Sequence, residues 1–186
     1  MKPYWLAFGL SLYSVAAVGQ PVTLVELEGA VVETTVTMAQ QIRREGREFP
    51  VQLHQQQKIT FFSDSKIEWT STPTSHTPRG IRQGPTRTGR MTLGQPGETK
   101  QLGGGDFIWI FEDGTLTTLR TYTKQGGYKR TIAFAREGGA INCTAKEAFV
   151  REEGVGRIVL RSAIDDAPVE VLSAKQVAST CRVTKR

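Results

Sequence analysis

Period-two alternation of apolar and polar residues is the feature that most restricts what this chain can become. Val32, Thr34, Val36 and Met38 share one face of an extended segment, and Ile42 continues the row. After a turn over residues 43–47, Phe49, Val51, Leu53, Ile59 and Phe61 share one face of the next, and residues 66–70 make a shorter third strand. Such alternation fits a strand with one side buried, whereas a helix needs apolar residues three and four apart, a spacing nearly absent here. β-Branched and aromatic side chains fill these runs, as a pleated, half-buried surface favours. Further along, residues 107–111 and 115–123 flank Asp113-Gly114, a pair suited to a tight hairpin turn. Gly126-Gly127 and Gly138-Gly139 read as the next turns, and segments 141–150, 157–164, 168–174 and 178–184 complete the series. About nine strands joined mainly by short turns predict an all-β fold, a single antiparallel β-barrel or a sandwich. Closure removes exposed edges, which favours the barrel.

Residues 71–105 interrupt the pattern. Pro73, Pro78, Pro85 and Pro96 lie there among glycines, threonines and arginines. That composition offers little apolar surface to offset the entropy of ordering, so the stretch is expected to be one long, mobile, basic loop, with a short strand at 90–93. Arg79, Arg82, Arg87, Arg90 and Lys100 face the single acid Glu98, so much of the chain's net charge of +6 sits in this one segment. A local excess of this kind attracts anionic surfaces or polymers. No aromatics interleave with the arginines, so base stacking and sequence-specific nucleic-acid recognition are not expected.

The first nineteen residues set the address. Met1-Lys2 is followed by an uncharged, mostly apolar run to Val18, and Ala17 and Gly19 place small residues before Gln20-Pro21. This is the layout of a secretory signal peptide; a run of about fifteen residues is short of the ~20 needed to span a bilayer. An uncleaved anchor is the alternative. Residues 20–186 then form a single β-rich domain, large enough for its own core. Charge on both faces of the strand carrying Lys129, Arg130 and Arg136 argues against a membrane-spanning barrel. A periplasmic or secreted location also suits the cysteines. Cys143 and Cys181, the only two, both fall on the more apolar face of strand-like segments, and an exported chain with two cysteines is expected to join them.

Chemistry-bearing motifs are sparse. The strand 107–111 is apolar on both faces, so it is expected to be covered twice; Trp109 and Phe111, with Trp69, are the candidate walls of a hydrophobic ligand pocket or plain core residues. Gln55 and Gln57 lie in phase with Leu53, Ile59 and Phe61, and a bulge at 55–57 is expected to turn them outward. His54 and His76 read as surface residues. The pairs Glu152-Glu153 and Asp165-Asp166 sit in turns where acids are solvated. No metal-ligand spacing, nucleophile motif, phosphate loop or dinucleotide fingerprint is present, so no cofactor, metal or catalytic residue is assigned.

With its export signal, the Leu27-Glu-Gly-Ala-Val-Val start, Gly-Gly turns and a Val-Glu-Val-Leu-Ser-Ala segment before a late cysteine, the chain resembles small exported bacterial β-rich proteins of unassigned function. The resemblance implies the bacterial periplasm or extracellular space and carries no site residues. A Gly-x-Trp near the first strand, expected of a lipocalin, is missing. Two functions are compatible with these features. The first is a non-catalytic binding module for a small amphipathic molecule held near Trp69, Trp109 and Phe111. The second is an envelope-associated interaction protein docking on anionic polymer through Arg79, Arg82, Arg87 and Arg90.

Overall fold

In the computed structural model, which describes residues 21–94, 107–123, 126–151 and 153–185, the fold is all-β apart from one short helix. The signal-peptide segment and residues 95–105 of the expected loop lie outside the described residues. A single helical turn, α1 (Leu24–Leu27), precedes the strands β1 (Ala30–Arg44), β2 (Arg47–Phe61), β3 (Lys66–Thr77), β4 (Gly80–Gln83) and β5 (Arg87–Thr92). Then follow β6 (Phe107–Glu112), β7 (Thr115–Thr123), β8 (Gly126–Glu137), β9 (Ala140–Arg151), β10 (Val159–Arg161) and β11 (Pro168–Lys185). No helix among the described residues is long and apolar enough to cross a membrane.

Where the alternation predicts one barrel of about nine strands, the ladder is divided between two antiparallel sheets. Seven strands form the first, in the order β10-β11-β1-β2-β3-β4 with β5 also on β3; β6-β7-β8-β9 form the second. The larger sheet curls into a half-barrel. Its curvature has a visible source in β11, whose register on β1 slips between Thr37 and Met38 and again between Gln41 and Ile42. Each slip inserts one unpaired residue, and such bulges bend and twist a strand. The second sheet stands against the first along two seams. On one, the Gly94 N–H donates to the Trp109 carbonyl at 2.9 Å. On the other, Cys143 of β9 is bonded to Cys181 of β11, with Cα atoms 5.6 Å apart, and the Glu147 N–H donates to Gln176 Oε1. The disulfide therefore ties sheet to sheet, closing a 38-residue separation.

Two sequence expectations change. Residues 71–77 continue β3, and β4 and β5 occupy most of the stretch to residue 92, so this part of the expected loop is strand. Its inward row is Ser71, Pro73 and Ser75, all buried, which gives period-two burial without period-two hydrophobicity. Gly126-Gly127, read as a turn, begins β8 instead. A side chain at Gly126 would meet the Ile158 side chain at 2.5 Å and the Val150 carbonyl at 2.7 Å, so the glycine permits close packing rather than a reversal. Asp113-Gly114 and Gly138-Gly139 do form two-residue turns, with all four residues at positive φ.

The core lies toward the end where β1 begins and β2 finishes. Leu27 of α1 and Val22 are almost completely buried there, alongside Val32, Ile59, Phe61, Ile132 and Phe134. The helical turn is held by Glu26, whose carboxylate accepts from the Thr23 N–H at 2.7 Å and pairs with Arg136, while its carbonyl accepts from Lys185 Nζ. This end of the molecule is plugged.

Candidate functional site

Along β2 the inward row changes character from one end to the other. Ile59 and Phe61 belong to the core, Gln57 and Gln55 form a polar step, and Leu53, Val51 and Phe49 line an open space. On the facing sheet β8 repeats the order with Ile132, Arg130 and Tyr128, while β1, beside β2, runs apolar through Val36, Met38 and Ile42. The space is a cavity of about 430 Å³ at the end opposite α1, within the range of small-molecule sites. Its walls are mostly apolar, from Met38, Ile42, Val51, Leu53, Leu160 and Val171. The segment around Ala163 and Ile164 closes one side, lying so near the backbone of Gly84 that a Cβ there would be 2.5 Å from the Ala163 carbonyl.

The polar step separates this cavity from the core. Arg130, 4% exposed, gives Nε and Nη2 hydrogen bonds to Glu147 Oε2 at 3.2 and 2.5 Å. It also donates to Gln57 Oε1 at 2.8 Å and Gln55 Oε1 at 2.9 Å, and Gln55 Nε2 donates to Ser71 Oγ. A guanidinium only donates, so both amides must present their oxygens to it. Gln55 and Gln57 thus face inward, correcting the outward bulge; the β1–β2 register runs unbroken from Val31 opposite Thr60 to Arg44 opposite Arg47. Their burial is tolerable because an equally buried cation on the facing sheet takes up their oxygens.

The mouth is charged. Arg44 is engaged by Asp165 at 2.7 Å, and Arg161 by Asp166 at 3.6 Å. Burial pushes the Asp165 carboxyl up, but hydrogen bonds from Arg44, Ser162 and the Ala167 N–H, with the Arg44 charge, outweigh it and hold the group below its usual 3.8. Arg47, Arg79 and Arg82 also line the cavity, are exposed, and have no ion pair among the described residues.

The sequence-nominated residues therefore separate. Trp69 and Trp109 are core: 3% and 0% exposed, stacked with ring centroids 6.2 Å apart, and Trp69 lies against Gly89, where a Cβ would be 2.8 Å from its ring. Neither they nor Phe111, which packs near Phe134, line the cavity, so the pocket belongs elsewhere than these aromatics suggest. The expected double covering of the strand 107–111 fails at Ile110, which is 45% exposed. The four arginines split as well. Arg79 and Arg82 reach the mouth, whereas Arg87 and Arg90 lie on β5 and Arg90 is paired with Glu68 at 2.6 Å. His54 and His76 are brought together on adjacent strands, ring centroids 4.3 Å apart, with His54 Nδ1 bonded to Thr37 Oγ1 at 2.9 Å. Among the described residues no three metal-ligating side chains converge. Glu147, Arg130 and Arg47 were not singled out by motif. An arginine in phase with Tyr128, Ile132 and Phe134 is the signal that points to the polar step.

No family model matches this chain, and no curated protein and no solved structure matches it.

Proposed function

We propose that the protein is an exported, non-catalytic binding module whose ligand is a small amphipathic molecule seated in the open end of the fold. The observation that carries this reading is one cavity with two chemistries: apolar walls from four strands, and a mouth where Glu48 and Glu45 are engaged by Arg43 and Arg44 while Arg47, Arg79 and Arg82 have no ion pair among the described residues. Apolar walls take a hydrocarbon or ring body, and unpaired guanidinium groups favour a carboxylate, sulfate or phosphate at its outer end. The two functions suggested by the sequence meet in this arrangement, since Arg79 and Arg82 contribute to the mouth of the cavity rather than to a separate polymer-binding loop. The Cys143–Cys181 disulfide is compatible with export.

Calorimetric titration with dodecanoate and with dodecanol tests this. Dodecanoate is expected to bind more tightly, with affinity falling as salt is raised. Arg79→Ser/Arg82→Ser should weaken dodecanoate by about tenfold and leave dodecanol unchanged, as expected for two charge-assisted contacts at an exposed rim. Equal affinity of both probes for the parent protein, or no binding of either, overturns the reading.

A further inference from the structure

Glu147 is more than nine-tenths buried, lines the cavity, and uses only one of its carboxylate oxygens. Both bonds from Arg130 end on Oε2. Oε1 has no hydrogen-bond partner among the described residues and faces the cavity, so a ligand that displaces water from the cavity must replace the hydrogen bond it takes from this oxygen. Beside it, Gln55 also lines the cavity and gives one of its two amide hydrogens to Ser71. The inner end of the cavity thus offers an acceptor on Glu147 and a remaining donor on Gln55.

Resting on the amphipathic-ligand reading above, we infer that the ligand carries a neutral hydroxyl at its inner end, donating to Glu147 Oε1 and accepting from Gln55. Charge selects this group. Arg130 already balances Glu147 in a 2.5 Å contact, so an ammonium at the same place would leave an uncompensated buried cation. A second carboxylate would oppose the free oxygen directly. A bare methyl would leave Oε1 without a partner. A hydroxyl is the smallest neutral group that both donates and accepts, and it leaves the net charge of the step unchanged. The ligand is therefore polar at both ends and apolar between them: an anion at Arg47, Arg79 and Arg82, a hydrocarbon body along the walls, and a hydroxyl against the Arg130–Glu147 pair.

The test compares straight-chain alkanoates with ω-hydroxyalkanoates of matched length, titrated calorimetrically into the disulfide-bonded protein. At the optimum length the hydroxy acid is expected to bind about tenfold tighter or more, the range of a hydrogen bond to a charged group. Equal or weaker binding of the hydroxy acid, with the plain acid still bound, overturns this inference and leaves the amphipathic-ligand reading standing. Failure of both series to bind overturns that reading, and this one with it. Arg130→Met/Glu147→Leu/Gln55→Leu replaces the polar inner end by apolar side chains and should bring the ratio of the two affinities to one. A retained preference in that variant would show that neither Glu147 nor Gln55 is the recognising group. Glu147→Gln, checked for native near-ultraviolet circular dichroism, gives a second reading: with its amide oxygen held by Arg130 it presents N–H instead of an acceptor, and the preference should fall.

Discussion

The two ends of this fold are built from the same strands and differ in what fills the inward row. At the end capped by α1, Leu27, Val32, Ile59, Phe61 and Phe134 interdigitate, and Leu27 is fully buried. At the other end Leu53, Val51 and Phe49 of the β2 row, with Ser75 and Tyr128, line a cavity of about 430 Å³. Between the ends lies the step of Arg130, Glu147, Gln55 and Gln57. An apolar core ends cleanly at such a step, because burying charges requires every partner to be in place and so fixes which strands face each other. The comparison teaches that stability and binding are separated along the strands: one end holds the molecule together, and the other is free to hold something else.

Substitutions can break that separation at its boundary first. Glu147→Ala strands the buried Arg130 charge and should destabilise by about 3–5 kcal/mol in urea denaturation. A small loss for Glu147→Ala would mean that water reaches the guanidinium and that the step is no barrier. Leu27→Ala, at the plugged end, should cost about 2–5 kcal/mol while leaving dodecanoate affinity unchanged. A parallel loss of affinity would show the two ends to be coupled. Between the sheets, Cys181→Ser should lower stability by about 2–5 kcal/mol. Mass measurement should find no alkylatable thiol in the native protein without reductant, and two after reduction. At the open end, Arg79→Ser/Arg82→Ser should change stability by less than about 0.5 kcal/mol, since neither side chain is engaged, and thermal melts would detect an unexpected structural role.

The smallest effect is a slope. Burial, and next the charge of neighbouring His76, hold the His54 imidazole below its usual 6.5. The unfolded chain then binds the proton more readily than the folded one. Stability from this group is therefore complete above about pH 6.5 and is lost as pH falls through the lower folded value. His54→Gln should flatten that part of a stability–pH profile; an unchanged profile would place the titration elsewhere.

Much of the architecture was legible in the alternation. Asp113-Gly114 and Gly138-Gly139 mark turns, the rows of β1 and β2 are apolar in phase, and the two cysteines sit on facing positions of strands that do meet. The site was less so. Tryptophans attract attention as pocket walls, yet Trp69 is buried because Gly89 on the next strand leaves room for its ring, a pairing set by the β3–β5 register. Residues 71–77 looked unstructured because their inward residues are serine and proline, whose burial follows from neighbours rather than from hydrophobicity.

By itself the sequence determined the class of fold, the turns at Asp113-Gly114 and Gly138-Gly139, the cysteine pair and the concentration of arginine, since these depend on local periodicity, backbone conformation and composition. The Gly138-Gly139 hairpin register sets Arg130 of β8 opposite Glu147 of β9, but tertiary structure alone decided that Arg130 meets Gln57 and Gln55 of β2, 73 and 75 positions away from it. It also decided that Arg47, Arg79 and Arg82 surround one opening. The reason is physical: a buried charge is stable only beside partners that neutralise and hydrogen-bond it, and no local pattern records which distant strand will carry them.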